Sequence, residues 1–92
     1  MVERQVSVVN RLGLHARAAA RLVRTASAFQ SRVRLERADL SASADAKSIL
    51  SVLMLAASRG TRLRATAEGA DEEEALSAVC ELIAGGFGET AE

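Results

Sequence analysis

Apolar and polar positions along the chain fall into two periods. Val2, Val6 and Val8 share one parity, with Gln5 and Ser7 on the other. Val33 and Leu35 alternate with Arg32, Arg34 and Glu36; Leu40, Ala42 and Ala44 with Ser41 and Ser43; Leu63, Ala65 and Ala67 with Arg62, Arg64 and Thr66. Period two with one polar face predicts four strands of a sheet covered on one side only. Three other segments carry the helical period. Residues 16–28 place Ala19, Leu22, Val23 and Ala26 on one stripe and Arg17, Arg21 and Arg24 opposite it. Residues 47–57 predict a second helix, stopped by Gly60. Residues 72–85 place Ala75, Leu76, Val79, Leu82 and Ile83 together, with Asp71 as N-cap, Glu74 completing a box-like start and Gly85-Gly86 as the stop.

The order β-α-β-β-α-β-α predicts an α+β fold of two layers, with helices on one face of an antiparallel sheet. The second helix does not fit this scheme cleanly. Ile49 to Ala57 is apolar nearly all round, yet a helix in two layers has one side to bury. Val52, Leu55 and Ala56 form one stripe; Ile49, Leu50 and Leu53 lie largely off it. That second stripe is either extra core or an exposed patch that meets a partner.

Composition narrows the functional classes. Ninety-two residues suit one domain, here 1–92, with modest stability. One Cys and one His leave no Cys-based zinc site, His-rich metal site or intramolecular disulfide. No apolar run is long enough to span a membrane. The polar start Met1-Val2-Glu3-Arg4-Gln5 is unlike a signal peptide, which with a free thiol predicts the cytoplasm. Net charge is zero but unevenly spread: residues 1–37 hold eight Arg against two Glu, and residues 38–92 hold ten acids against three Arg and one Lys. With only Phe29 and Phe87 for base stacking, nucleic-acid binding is not expected. The basic half suits an acidic partner or a phosphate.

The candidate chemistry lies at Gly13-Leu14-His15-Ala16-Arg17, just before the first helix. The backbone N–H groups of Ala16 and Arg17 have no intrahelical acceptor there, and the helix dipole adds partial positive charge. Together they make an anion site, reinforced by the Arg17 side chain. A positive environment disfavours imidazolium and leaves a ring nitrogen of His15 with a lone pair. The functional reading is a nucleophilic histidine that accepts a phosphoryl group. The plain alternative is a histidine that only caps a helix. Cys80 reads as a half-buried inert thiol, and Glu72-Glu73-Glu74 as charge complementing a helix start.

The segment Gly13-Leu14-His15-Ala16-Arg17-Ala18-Ala19 resembles the active-site signature of the HPr family, the histidine phosphocarriers of the bacterial phosphotransferase system. Asp45-Ala46-Lys47-Ser48-Ile49-Leu50 resembles that family's second signature. The tail from Glu72 to Phe87 resembles the nitrogen-branch members, whereas Ala46-Lys47-Ser48 resembles the sugar-type ones, so both branches stay open. The resemblance spans essentially the whole chain. It implies an open-faced sandwich with strand order 1-4-2-3 and three helices on one face. It implies a stoichiometric carrier rather than an enzyme, without a cofactor; a monomer is the default expectation for a carrier that must present one surface to successive partners.

By position, His15 matches the histidine phosphorylated on Nδ1 and Arg17 the arginine that neutralises the phosphate. Ile49, Leu50 and Leu53 match the patch that docks on enzyme I and on IIA-type acceptors. Ser48 matches the serine that a dedicated kinase phosphorylates in some lineages. One departure stands out: the family signature has proline where this chain has Ala18. Alanine is a strong helix former and restores an N–H, so the transfer chemistry is expected to survive with a looser turn. Two other classes compete with the carrier reading. A regulatory interaction protein would act through Ser48 and the apolar helix, with His15 secondary. A small-ligand sensing domain would need a pocket that no Gly-rich loop or convergent polar cluster supports.

Overall fold

A computed structural model describes residues 1–89. Its elements are β1 (Val2–Ser7), α1 (Ala16–Ser27), β2 (Arg32–Arg37), β3 (Ser43–Asp45), α2 (Ile49–Met54), β4 (Arg62–Glu68) and α3 (Glu72–Ala84), followed by a 3-10 turn over Gly86–Gly88. The four strands form one antiparallel sheet in the order β1-β4-β2-β3.

Register explains why the alternating pattern works. Val6 faces Leu63, Val33 faces Ala67, and Leu35 lies opposite both Ala65 and Ala44. All seven are buried, so the pairings stack one apolar face across the sheet. The helices close over it with Leu22, Val52, Leu55, Val79 and Ile83, all fully buried. Each such side chain contributes about 1.5–3 kcal/mol by leaving water. The opposite face is polar, and Arg64 there bonds Glu36 at 2.6 Å and pairs with Glu3 at 3.7 Å. The structure therefore has the two-layer α+β architecture with one open sheet face.

Three sequence expectations need correction. The third strand does not reach Leu40, which sits at φ 63° in a turn. Asp39 builds that turn: its carboxylate accepts from the Ser41 hydroxyl, the Ser41 N–H and the Arg37 guanidinium. Those bonds, the Ser41 hydroxyl foremost, hold it well below the usual carboxylate range. Local turn chemistry overrides a weak alternation.

The second helix covers Ile49–Met54 rather than 47–57. Asp45 accepts the Lys47 N–H at 2.9 Å, so residues 45–47 form a turn before it. At the other end Ala56 adopts φ 51°, and the Arg37 guanidinium takes up the Leu55 and Ala56 carbonyls at 3.0 and 3.3 Å. The helix thus ends well before Gly60. Ala56 is consequently exposed and Ala57 buried, the reverse of the expected stripe.

Asp71 precedes α3 but makes no side-chain capping bond, and no capping box forms. Its carboxylate turns away to accept the Gln30 and Ser31 N–H groups, both at 2.9 Å, and the Ser31 hydroxyl at 2.5 Å. Glu72 receives the Gly69 N–H instead. The Ser31 hydroxyl bond, followed by the Gln30 amide, pulls the Asp71 carboxyl below its ordinary range. A depressed folded-state value stabilises the fold above the unfolded carboxyl range and stops doing so as pH falls. Asp71→Asn is therefore expected to melt below the parent at neutral pH, with the gap closing below about pH 4. Melting curves across pH measure this; a pH-independent gap would assign the loss to geometry rather than charge.

Candidate functional site

His15 is the N-cap of α1, with extended backbone at φ −76° and ψ 177°. Its carbonyl accepts the Ala19 N–H at 2.8 Å, the first bond of the helix. The loop before it is tied at several points. The Gly13 N–H donates to the Asn10 carbonyl, the Leu14 N–H to the Ala57 carbonyl at 2.9 Å, and the His15 N–H to the Gly13 carbonyl. Gly13 sits at φ 66°, a region that suits glycine. Leu14 is buried and plugs the loop into the core.

The ring sits between two groups. Nδ1 accepts the Arg17 backbone N–H at 3.3 Å, a long bond that requires a lone pair on Nδ1. Nε2 then carries the proton and faces Glu89 Oε2 at 2.5 Å. Two sequence expectations change here. The Arg17 amide is occupied by the ring and not open to an incoming anion. The surroundings of His15 are also not uniformly positive, because a carboxylate lies against Nε2. That hydrogen bond is the main reason the Glu89 carboxyl stays below its ordinary range, aided by a bond from Asn10 and the charge of Arg21.

An open cleft is lined by Leu12, His15, Ala16, Arg17, Arg21, Gly88 and Glu89. Sequence reasoning placed His15, Ala16 and Arg17 together, and the structure brings them together. It missed Glu89, 74 positions away, and Arg21, which the helical period places only on the side of α1 opposite the apolar stripe. The Arg21 guanidinium donates to the Phe87 carbonyl, tying the cleft to the turn that follows α3. Ala18 is fully buried in the first helical turn, and the helix starts at Ala16 with alanine there.

The apolar surface of α2 is partly as expected. Ile49 and Leu50 are exposed, Leu50 at 69%, but Leu53 is half-buried against the core. Met54 at 72% and Leu12 at 63% are exposed apolar side chains that the helical stripe did not single out. Ser48 is the N-cap of α2, its hydroxyl oxygen accepting the Ser51 N–H at 3.3 Å. Cys80 is buried rather than half-buried, and burial pushes its thiol up. Among the described residues, no three His, Cys, Asp or Glu gather as metal ligands, and no helix is long and apolar enough to cross a membrane.

The family profile described as the PTS HPr component phosphorylation site matches residues 2–85. The chain belongs to the HPr family. Phosphocarrier protein HPr of Cupriavidus necator is 45% identical over 89 residues, covering 97% of this chain and 98% of its own. Phosphocarrier protein HPr of Pseudomonas aeruginosa is 47% identical, covering 92% and 93%. The crystal structure of HPr-C-His from Thermoanaerobacter tengcongensis superposes with a TM-score of 0.90 at 42% identity, covering 98% of this chain and 99% of that one. The protein is thus an HPr-type phosphocarrier of the phosphotransferase system, and its strand order is that of the HPr open-faced sandwich.

Proposed function

We propose that His15 accepts a phosphoryl group on Nδ1 from phosphorylated enzyme I and passes it to a IIA-type acceptor. The Nδ1 lone pair attacks phosphorus, a new N–P bond forms, and the donor's bond to phosphorus breaks with its electron pair returning to the donor. The return step to the acceptor is the same displacement with His15 as leaving group. The protein is consumed and regenerated in each cycle, a carrier rather than an enzyme, and a monomer presents one face to both partners in turn.

The observation that carries this reading is the placement of Nδ1. It lies at a helix N-terminus, holding a lone pair, in an open cleft lined also by Arg17. The transferred group needs positioning and charge neutralisation, which Arg17 and the first amides of α1, Ala16 among them, supply. The Arg17 amide now on Nδ1 exchanges the ring nitrogen for a phosphate oxygen once that nitrogen is bonded to phosphorus. Beside the cleft, α2 packs on α1 and presents Ile49, Leu50 and Met54, with Leu53 beneath, as the docking surface. A kinase-placed phosphate on Ser48 would set negative charge against that apolar surface and oppose docking.

The test is phosphorylation by enzyme I and phosphoenolpyruvate, read by mass. One acid-labile phosphate in the parent and none in His15→Ala supports the carrier. A folded parent that takes no phosphate from several enzyme I proteins would instead favour a regulatory role for the α2 surface. Arg17→Ala removes a charge-assisted contact of about 1.5–3 kcal/mol. It is expected to slow transfer roughly ten- to a hundredfold. Because Arg17 is exposed, its melting temperature should match the parent's. Normal transfer rates in a stopped-flow assay would remove Arg17 from the site.

A further inference from the structure

We infer that Arg37 is a positioning residue for docking: its guanidinium fixes the end of α2, and with it the way Leu50 and Met54 are offered to enzyme I. This rests on the carrier reading above and on its docking surface. On its own α2 has little stability. It spans six residues, Ile49–Met54, and carries no basic side chain in its last turn. A helix this short is marginal alone, and its last carbonyls lack intrahelical donors. Just past it, Ala56 sits at φ 51°, a conformation that glycine usually fills at a helix end. A strained alanine persists only where its surroundings hold it.

Arg37 supplies that hold from the sheet. On β2 it shares the parity of the buried Val33 and Leu35, opposite Leu63 of β4, so it points to the helix side. Its side chain is 23% exposed. Nη1 donates to the Leu55 carbonyl at 3.0 Å and to the Ala56 carbonyl at 3.3 Å. Nε and Nη2 donate to the Asp39 carboxylate at 3.3 and 3.2 Å, which aims the fork from behind. The positive charge also complements the negative end of the helix. A planar fork of donors spans carboxylate and carbonyls at once; a lysine ammonium is a point charge on a flexible stem and does not.

The clamp sits at the joint between the docking surface and the histidine loop. Met54, 72% exposed, is the last residue of α2 and directly precedes the clamped carbonyls. After them comes Ala57, buried, whose carbonyl receives the Leu14 N–H at 2.9 Å. That bond is made without Arg37, so the His15 loop keeps its anchor when the clamp is lost, while the end of α2 does not. The effect therefore falls on recognition of the partner rather than on attack by Nδ1.

The experiment uses the full chain with Arg37→Ala, Arg37→Lys, Met54→Ala and the double variant Arg37→Ala/Met54→Ala. Phosphorylation by enzyme I and phosphoenolpyruvate, with this protein as the varied substrate, gives KM and kcat. Arg37→Ala is expected to raise KM about tenfold while kcat stays within about twofold of the parent. Arg37→Lys keeps the charge without the fork and should raise KM about three- to fivefold. It decides the matter even where the alanine variant does not fold. The double variant should fall short of the product of the two single effects, because the clamp acts through the presentation of Met54. A structural role alone would lower the melting temperature and leave KM unchanged below the transition. The proposal is overturned if either Arg37 variant keeps the parent's KM, or if the Arg37 and Met54 effects simply multiply. Failure of the carrier reading looks different: the parent itself takes no acid-labile phosphate, and the proposal falls with it.

Discussion

Phe87→Ala is expected to lose about 3–5 kcal/mol of folding stability. At this chain length that corresponds to a fall in melting temperature of about 12 °C or more. The ring is among the largest fully buried side chains, and it packs into the core from a three-residue turn at the end of α3. Truncation leaves a cavity that the turn cannot fill, because Phe87 already holds φ 60° between two glycines. Arg21 also loses a fixed carbonyl to bond, and Glu89 loses its aim on His15. Phosphate transfer should therefore fall even at a temperature where the variant remains folded. Phe87→Leu keeps most of the apolar volume and should recover most of the stability. Calorimetry of the three proteins decides the matter. An unchanged melting temperature in Phe87→Ala would mean that the turn opens independently of the core.

Gly13→Ala is the second large effect. The conformation at φ 66° costs about 1–2 kcal/mol for a residue with a side chain. The added Cβ would lie 2.5 Å from the Ala57 carbonyl oxygen and 2.9 Å from Ser58 Cα. Both are backbone atoms, so relief requires the chain after α2 to move, for about 1–3 kcal/mol more. The combined loss is about 2–5 kcal/mol, a drop in melting temperature of roughly 10 °C or more. Gly60→Ala separates the two causes. Gly60 is also in the left-handed region, at φ 92°, but a Cβ there meets nothing within 4 Å. It should show the conformational cost alone. Equal losses in the two variants would mean that the contact with Ala57 is soft. Gly13→Ala should in addition impair transfer, because the Gly13 carbonyl holds both the His15 N–H and the Asn10 side chain.

What the sequence conveyed, and what it did not, divides by range. Strands with clean alternation, such as Leu63, Ala65 and Ala67, were legible because the period itself reports a one-sided environment. The Gly13 to Arg17 segment was legible because its chemistry is local: a helix start, a histidine and a cation within five residues. Leu40 misled because alternation over small residues is weak beside the bonds Asp39 makes to Ser41 and Arg37. The early end of α2 was hidden because Arg37, some twenty residues upstream, terminates it. Asp71 had the right identity and spacing for a cap, yet Ser31, 40 positions away, competes for its carboxylate. Glu89 was the largest omission. Nothing in a Gly-Phe-Gly-Glu tail announces that a buried aromatic and Asn10 will bring its carboxylate to His15.

The sheet order has a consequence for how the molecule is made. Among the described residues β1 pairs with β4 alone, with Val2 opposite Ala67 and Val6 opposite Leu63. While the chain emerges from a ribosome, β2 and β3 can form a hairpin, but β1 and the loop leading to His15 wait for more than fifty further residues. Long-range pairing of this kind is slow to nucleate and comes late in folding. The anchors of the histidine loop are equally distant, since Leu14 bonds Ala57. A half-made chain therefore holds its histidine without its cleft, and a partner that reads the cleft engages finished molecules and ignores nascent ones.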